Sequence, residues 1–239
     1  MSRDTANAAP GARPGLRLFL DSARPADWET WLPRGVFHGV TTNPVLLQRA
    51  DQPCTLANLE AVATRVRDLG AREIQLQTWG ATPGEMFHNG SRLALMTGLG
   101  LDVAVKVPAT PDGLVVARRL AEAGTRVTLT AVFQPGQVVL AAGFGAAYAA
   151  PYLGRLIDAR RKGRDLVLAM DDILKYTGSA TRLLVASLRS TDQVIDLAAH
   201  GLDTFTFGAP VAEQLLSDKL TEKATAQFEA AAAAMGGRT

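Results

Sequence analysis

The chain has one cysteine, Cys54, and only three histidines, His38, His88 and His200. A single thiol excludes an internal disulfide, and the absence of HxxxH or CxxC spacing excludes a structural zinc site. Neither sign of charge is in real excess: 25 Lys plus Arg stand against 23 Asp plus Glu, and the basic residues are scattered rather than gathered into a stripe. No nucleic-acid partner is expected. No apolar run approaches the ~18 residues of a membrane span, and the N-terminus lacks the basic-then-apolar pattern of a signal peptide. A cytoplasmic protein with no membrane partner is the expectation. No GxGxxG follows any candidate strand, which argues against a dinucleotide-binding sheet.

What is present is ample for a core: 239 residues, 47% of them apolar. Residues 1–15, MSRDTANAAPGARPG, show no periodicity and read as a disordered tail, leaving 16–239 as one domain. Eight short runs rich in β-branched and aliphatic residues follow: 16–21, 39–42, 73–77, 103–107, 126–133, 147–152, 182–188 and 204–208. Between them, segments such as 54–70, 83–99 and 111–124 carry apolar residues at helical spacing, the last opening on Pro-Asp and closing on Gly. Eight strand and helix pairs in this length predict an α/β fold, a (β/α)8 TIM barrel. The Ala-rich 221–237 predicts an additional C-terminal helix able to pack on a neighbouring subunit.

In such a barrel, polar residues at the C-terminal ends of the strands converge on one mouth. They are Asp21, Thr42, Asn43, Gln77, Lys106, Thr130, Tyr152, Arg155, Ser187 and Arg189. Lys106 is the most informative. In VAVKVP it shares a face with small Ala104, while Val103, Val105 and Val107 take the other, which puts the lysine inside the barrel. Dry surroundings disfavour an ammonium and make available the free amine that attacks a ketone, so Lys106 is a Schiff-base candidate. Strand context alone favours the plainer alternative of a lysine that snorkels to solvent or pairs with a structural carboxylate. Asp21 can shuttle the proton of a substrate hydroxyl or cap the helix that follows, and Asn43 can contact substrate or cap its own helix. Gln77 and Tyr152 can be core residues as readily as functional ones, and isolated arginines are commonly surface residues.

The ordered segments FLDSA, GVTTNPVLL, AVKVPATPDGL, LTAVF, APYLGR and ASLRS resemble the transaldolase family, including its smaller fructose-6-phosphate aldolases, over residues 16 to about 216. The resemblance implies that Lys106 forms the imine, that Asp21 serves substrate hydroxyls, and that Asn43 and Thr42 of TTNP belong to the substrate site. It also implies that Arg155, Ser187 and Arg189 bind a phosphoryl group, two guanidinium forks and a hydroxyl suiting a dianion. Gln77 and Tyr152 side with the aldolase branch, since transaldolases typically carry Glu and Phe there, and Thr128 stands where transaldolases usually have Asn. The implied function is a metal-free, cofactor-free class I lyase cleaving the C3–C4 bond of a keto-sugar phosphate, with Gln77, Thr130 and Tyr152 governing a proton-transferring water. A transaldolase passing the three-carbon unit to an aldose phosphate is the alternative, and a non-catalytic sugar-phosphate binder is the alternative of another class. The resemblance and the terminal helix also imply a homo-oligomer, with rings built through exchanged C-terminal helices as one form.

The remaining features read as follows. The three histidines lack mutual spacing and are expected at the surface or satisfied in the core. Trp28, Trp31 and Trp79 are expected to pack, Trp79 near enough to flank the mouth. The 159–165 run, ARRKGRD, reads as a solvated loop adding positive potential, and QPGQ at 134–137 leaves room for a specialised substrate.

Overall fold

A computed structural model describes residues 15–237. The expected N-terminal tail, apart from Gly15, lies outside the described residues. Eight parallel strands alternate with helices: β1 (Arg17–Asp21), α1 (Pro25–Trp31), β2 (Gly39–Thr41), α2 (Pro44–Arg49), α3 (Leu56–Asp68), β3 (Glu73–Gln77), α4 (Pro83–Ala94), β4 (Asp102–Pro108), α5 (Pro111–Glu122), β5 (Arg126–Val132) and α6 (Pro135–Gly143). The second half continues with β6 (Tyr148–Pro151), α7 (Leu153–Asp158), α8 (Gly163–Tyr176), β7 (Arg182–Leu183), α9 (Thr191–Ala199), β8 (Thr204–Phe207), α10 (Ala209–Leu216) and α11 (Lys219–Ala234).

Strand order is β7-β6-β5-β4-β3-β2-β1-β8, and a bridge between Val185 and Phe205 joins the two ends. The sheet is thus a (β/α)8 TIM barrel with one extra helix at its C-terminus. Strand alternation explains the two cores. Val103, Val105 and Val107, with Leu20, Val40, Ile74, Leu129 and Phe205, point outward and pack under the helices. Each such fully buried aliphatic side chain contributes roughly 1.5–3 kcal/mol. The inward face holds a much smaller apolar cluster, Phe19, Ala104, Tyr148, Ala150 and Leu184, and polar side chains fill the rest.

The loops at the C-terminal ends of the strands are built for sharp helix starts. Proline opens α1, α2, α4, α5 and α6, where its missing N–H is not needed. Asn43, Thr55, Thr82 and Thr110 cap their helices with side-chain oxygens. These caps trim the helices: the 54–70 pattern starts at Leu56 after its Thr55 cap, and 83–99 splits into α4 and a 3-10 turn, Leu95–Leu99, ending at left-handed Gly100. α11 begins at Lys219, ahead of the Ala-rich stretch, because the Asp218 carboxylate accepts from the Leu220 and Thr221 amides.

Two local expectations change, and the QPGQ segment shows a structural role. The 182–188 run forms a regular ladder only at Arg182–Leu183, then single bridges at Val185 and Ala186, because Ser187 turns left-handed (φ 59°) and directs the chain into the mouth. QPGQ serves the backbone: the Gln137 side chain accepts from the Phe133 and Gln134 amides and donates to the Ala109 carbonyl, closing a capping box. Trp28 and Trp31 are buried as expected. Trp79 borders a shallow surface with His88 and Asn89 rather than the barrel's central cavity. Among the described residues, no helix is long and apolar enough to cross a membrane.

Candidate active site

A cavity of about 250 Å³ opens at the C-terminal ends of the strands. It is smaller than a typical drug-sized pocket and suits a small metabolite. Seven of the ten residues expected at the mouth line it: Asp21, Asn43, Lys106, Tyr152, Arg155, Ser187 and Arg189. Thr42, Gln77 and Thr130 are outside that lining, but each adjoins a residue in it: Thr42 and Gln77 adjoin Lys106, and Thr130 meets Tyr152.

Lys106 is 5% exposed, and its Nζ donates to the Thr42 carbonyl at 3.0 Å. No carboxylate lies within 4.0 Å of it among the described residues, so it neither snorkels out nor sits in a structural ion pair. The Thr42 hydroxyl is buried and has no hydrogen-bond partner among the described residues. Gln77 lies in register with Lys106 on the adjacent strand, its amide donating only a long bond, 3.3 Å, to the Thr78 carbonyl.

Asp21 does not cap α1. The Arg24 backbone occupies that position, and the Asp21 Oδ1 instead accepts from the Thr41 hydroxyl at 2.7 Å. Thr41 in turn accepts from the Thr206 hydroxyl at 2.5 Å, so β2 holds the carboxylate directly and β8 reaches it only through Thr41. Thr41 and Thr206 are functional neighbours that sequence reasoning missed. Their only signal is a threonine on the inward face of two strands beside Asp21.

Asn43 does cap its helix, its Oδ1 accepting from the Val45 and Leu46 amides at 3.0 and 3.1 Å. That leaves the amide nitrogen as the group free to donate into the cavity. Thr130 and Tyr152 share a hydroxyl–hydroxyl hydrogen bond of 2.7 Å. A bulge in β5, with left-handed Ala131 (φ 56°), presents Thr130 to that bond. The Tyr152 ring is fixed edge-on by Phe133, and Arg155 lies over its face 5.0 Å from the centroid.

Arg155, Ser187 and Arg189 gather at one side of the cavity, but the two arginines differ. Both terminal nitrogens of Arg189 donate to Asp158, one at 2.5 Å, and this hydrogen-bonded pairing lowers the Asp158 carboxyl below its ordinary range. α7 thus brings an aspartate to one of the two guanidinium forks expected there. Gly154 makes the arrangement fit, since a Cβ there would stand 2.3 Å from the Ser187 carbonyl and 2.8 Å from Arg189 Nε.

The histidines are dispersed. His200 meets Arg164 near the surface. His38 lies at the opposite end of the barrel, half-buried beside Glu73. No group of three or more His, Cys, Asp or Glu side chains that could hold a metal is gathered among the described residues.

Fold and site together define the class: a (β/α)8 barrel whose mouth carries a buried lysine, a carboxylate hydrogen-bonded to Thr41 and a cluster of arginine and hydroxyl side chains. The chain belongs to the transaldolase/fructose-6-phosphate aldolase family, whose model matches residues 18–236. It is 35% identical over 216 residues to a probable transaldolase of Rhodospirillum centenum, covering 90% of each chain. It is 34% identical to a probable transaldolase of Maridesulfovibrio salexigens, over 90% of this chain and 97% of the other. A probable transaldolase of Aquifex aeolicus is 32% identical over 89% of this chain and 94% of its own.

Proposed function

We propose that the protein is a Schiff-base aldolase that cleaves or forms the C3–C4 bond of a keto-sugar phosphate, in the manner of a fructose-6-phosphate aldolase. The observation that carries this reading is Lys106 itself, buried, without a carboxylate partner, and open to the cavity beside Asp21. The Lys106 amine attacks the ketone carbon, water leaves, and the resulting iminium accepts the electron pair of the C3–C4 bond as it breaks. Asp21 takes the C4 hydroxyl proton, and an aldehyde phosphate departs. Protonation of the enamine carbon and hydrolysis of the imine then return dihydroxyacetone and the free lysine. The Thr130–Tyr152 hydroxyl pair, with Gln77 beside Lys106, supports a water placed for that protonation. Arg155, Ser187 and Arg189 take the phosphoryl oxygens.

A second reading, transaldolase, is favoured by the names of the relatives. It uses the same enamine but holds it for an aldose phosphate acceptor. Incubation with fructose 6-phosphate and no acceptor separates the two. Free dihydroxyacetone supports the aldolase, whereas no release together with transfer to erythrose 4-phosphate supports the transferase. Borohydride with a ketone substrate should leave a reduced secondary amine on the Lys106 peptide, heavier by the mass of the bound ketone less one oxygen (water lost, two hydrogens gained), and reversible binding with no adduct would favour a non-catalytic binder.

A homo-oligomer is part of the proposal. Leu216, Leu220 and Phe228 stand exposed on the last two helices, and α11 buries none of its residues within the chain. The mass in solution tests it.

A further inference from the structure

Arg49 lines the same cavity as Lys106, Arg155 and Arg189, although the motif pattern assigns it nothing. It ends α2, and α2 follows β2, which lies four strands from β6 in the eight-stranded ring. Arg49 therefore approaches the cavity from the wall opposite the loop that carries Arg155. The three arginines are not equivalent. Arg189 is engaged by Asp158, and Arg155 is stacked on Tyr152. Arg49 makes no hydrogen bond or ion pair among the described residues. A basic residue in the last turn of a helix also favours the helix dipole, but that effect needs only proximity to the helix end, not a place in the cavity wall. Asn43 caps the start of α2, so the wall that carries Arg49 is anchored at the mouth.

A phosphoryl dianion carries up to two negative charges, and Asp158 already neutralises one of the cations facing it. We propose that Arg49 is a further substrate-binding residue, closing on the phosphoryl oxygens from the α2 side and supplying charge that Arg189 gives to Asp158. This inference rests on the aldolase reading for its substrate, and its test is arranged so that the two can fail separately.

In the aldol direction, dihydroxyacetone is paired with glyceraldehyde 3-phosphate or with glyceraldehyde. Arg49→Ala should lower kcat/KM for the phosphorylated aldehyde about tenfold more than for the unphosphorylated one, chiefly through KM, and Arg49→Lys should recover part of the loss. Equal changes for both aldehydes, or none, would overturn the role of Arg49. Inorganic phosphate titrated by calorimetry into each protein gives an independent readout. Weaker phosphate binding by Arg49→Ala supports the assignment and unaltered binding refutes it, even if neither aldehyde is turned over and the aldolase reading fails.

Discussion

The two ends of the barrel bury charge in opposite ways. At the N-terminal end, Glu73 is wholly inaccessible and surrounded by partners: Arg126 at 3.0 Å, the Tyr148 hydroxyl at 2.8 Å and the Gln75 amide at 2.8 Å. Thr128 donates to Gln75 at 2.8 Å, so the network climbs into the barrel. Burial pushes the Glu73 carboxyl upward, but Arg126, Tyr148, Gln75 and His38, whose Nε2 stands 3.7 Å off and makes no hydrogen bond, outweigh it and hold it below the ordinary range. Tyr148 moves the other way, raised by its burial and by the adjacent carboxylate. At the C-terminal end, Lys106 is nearly as dry, yet it has a single carbonyl acceptor and an open cavity before it. One end pairs its carboxylate with groups of the chain itself, so that removing a partner would leave a buried charge uncompensated. The other leaves donors and a carboxylate unfinished, which a substrate can complete.

The largest effect that would break this contrast is at Lys106. Lys106→Met should reduce turnover by at least about 10³-fold, since no covalent intermediate can form. The same change should leave unfolding by urea unaltered or slightly harder, because a buried polar amine with one carbonyl acceptor is replaced by an apolar chain of similar volume. A variant that still turns over would remove the mouth's half of the comparison.

Glu73→Gln should show the reverse pattern. It leaves Arg126 without its countercharge, and with that arginine partly exposed the loss should be about 2 kcal/mol of unfolding free energy, while kcat per folded molecule stays close to that of the unaltered protein. Urea denaturation and steady-state kinetics on the same samples check both halves. A large fall in kcat without a fall in stability would show that the lower network reaches the chemistry.

Acid sharpens the same point. The Glu73 contribution is complete above the ordinary glutamate range near about 4.3 and is lost as pH falls through the group's lowered value. The stability gap between the unaltered protein and Glu73→Gln should therefore be full at neutral pH and narrow below about pH 4. A gap that does not change with pH would mean that the carboxylate charge is not what stabilises that end.

The smallest effect concerns the scaffold of the mouth. Gln137→Ala removes the capping box of α6 and should cost about 1 kcal/mol with little change in KM. A large change in KM would instead give the QPGQ segment a part in substrate choice.

Much of the mouth was legible because its residues sit at fixed offsets from strand ends. Period-two alternation in VAVKVP put Lys106 and Ala104 on the inner face before any coordinates were needed, and the eight strands fall where the apolar runs do. The Asp158 clasp on Arg189, the Thr206–Thr41–Asp21 relay and the place of Arg49 in the cavity wall were not legible. Each joins side chains distant in sequence, whose meeting depends on loop geometry at the mouth.

Local sequence by itself determined which residues face inward, roughly where helices fall and which lysine stands near the end of the fourth strand. Those choices follow from steric and hydrogen-bonding rules that act over a few residues. Only the closed barrel decided that Lys106 meets a carbonyl and, among the described residues, no carboxylate, that Glu73 at the far end is enclosed by partners, and that one arginine of the mouth is paired with an aspartate while another is not. Electrostatic environment depends on what lies across the barrel, and closure of the sheet is what brings those groups together.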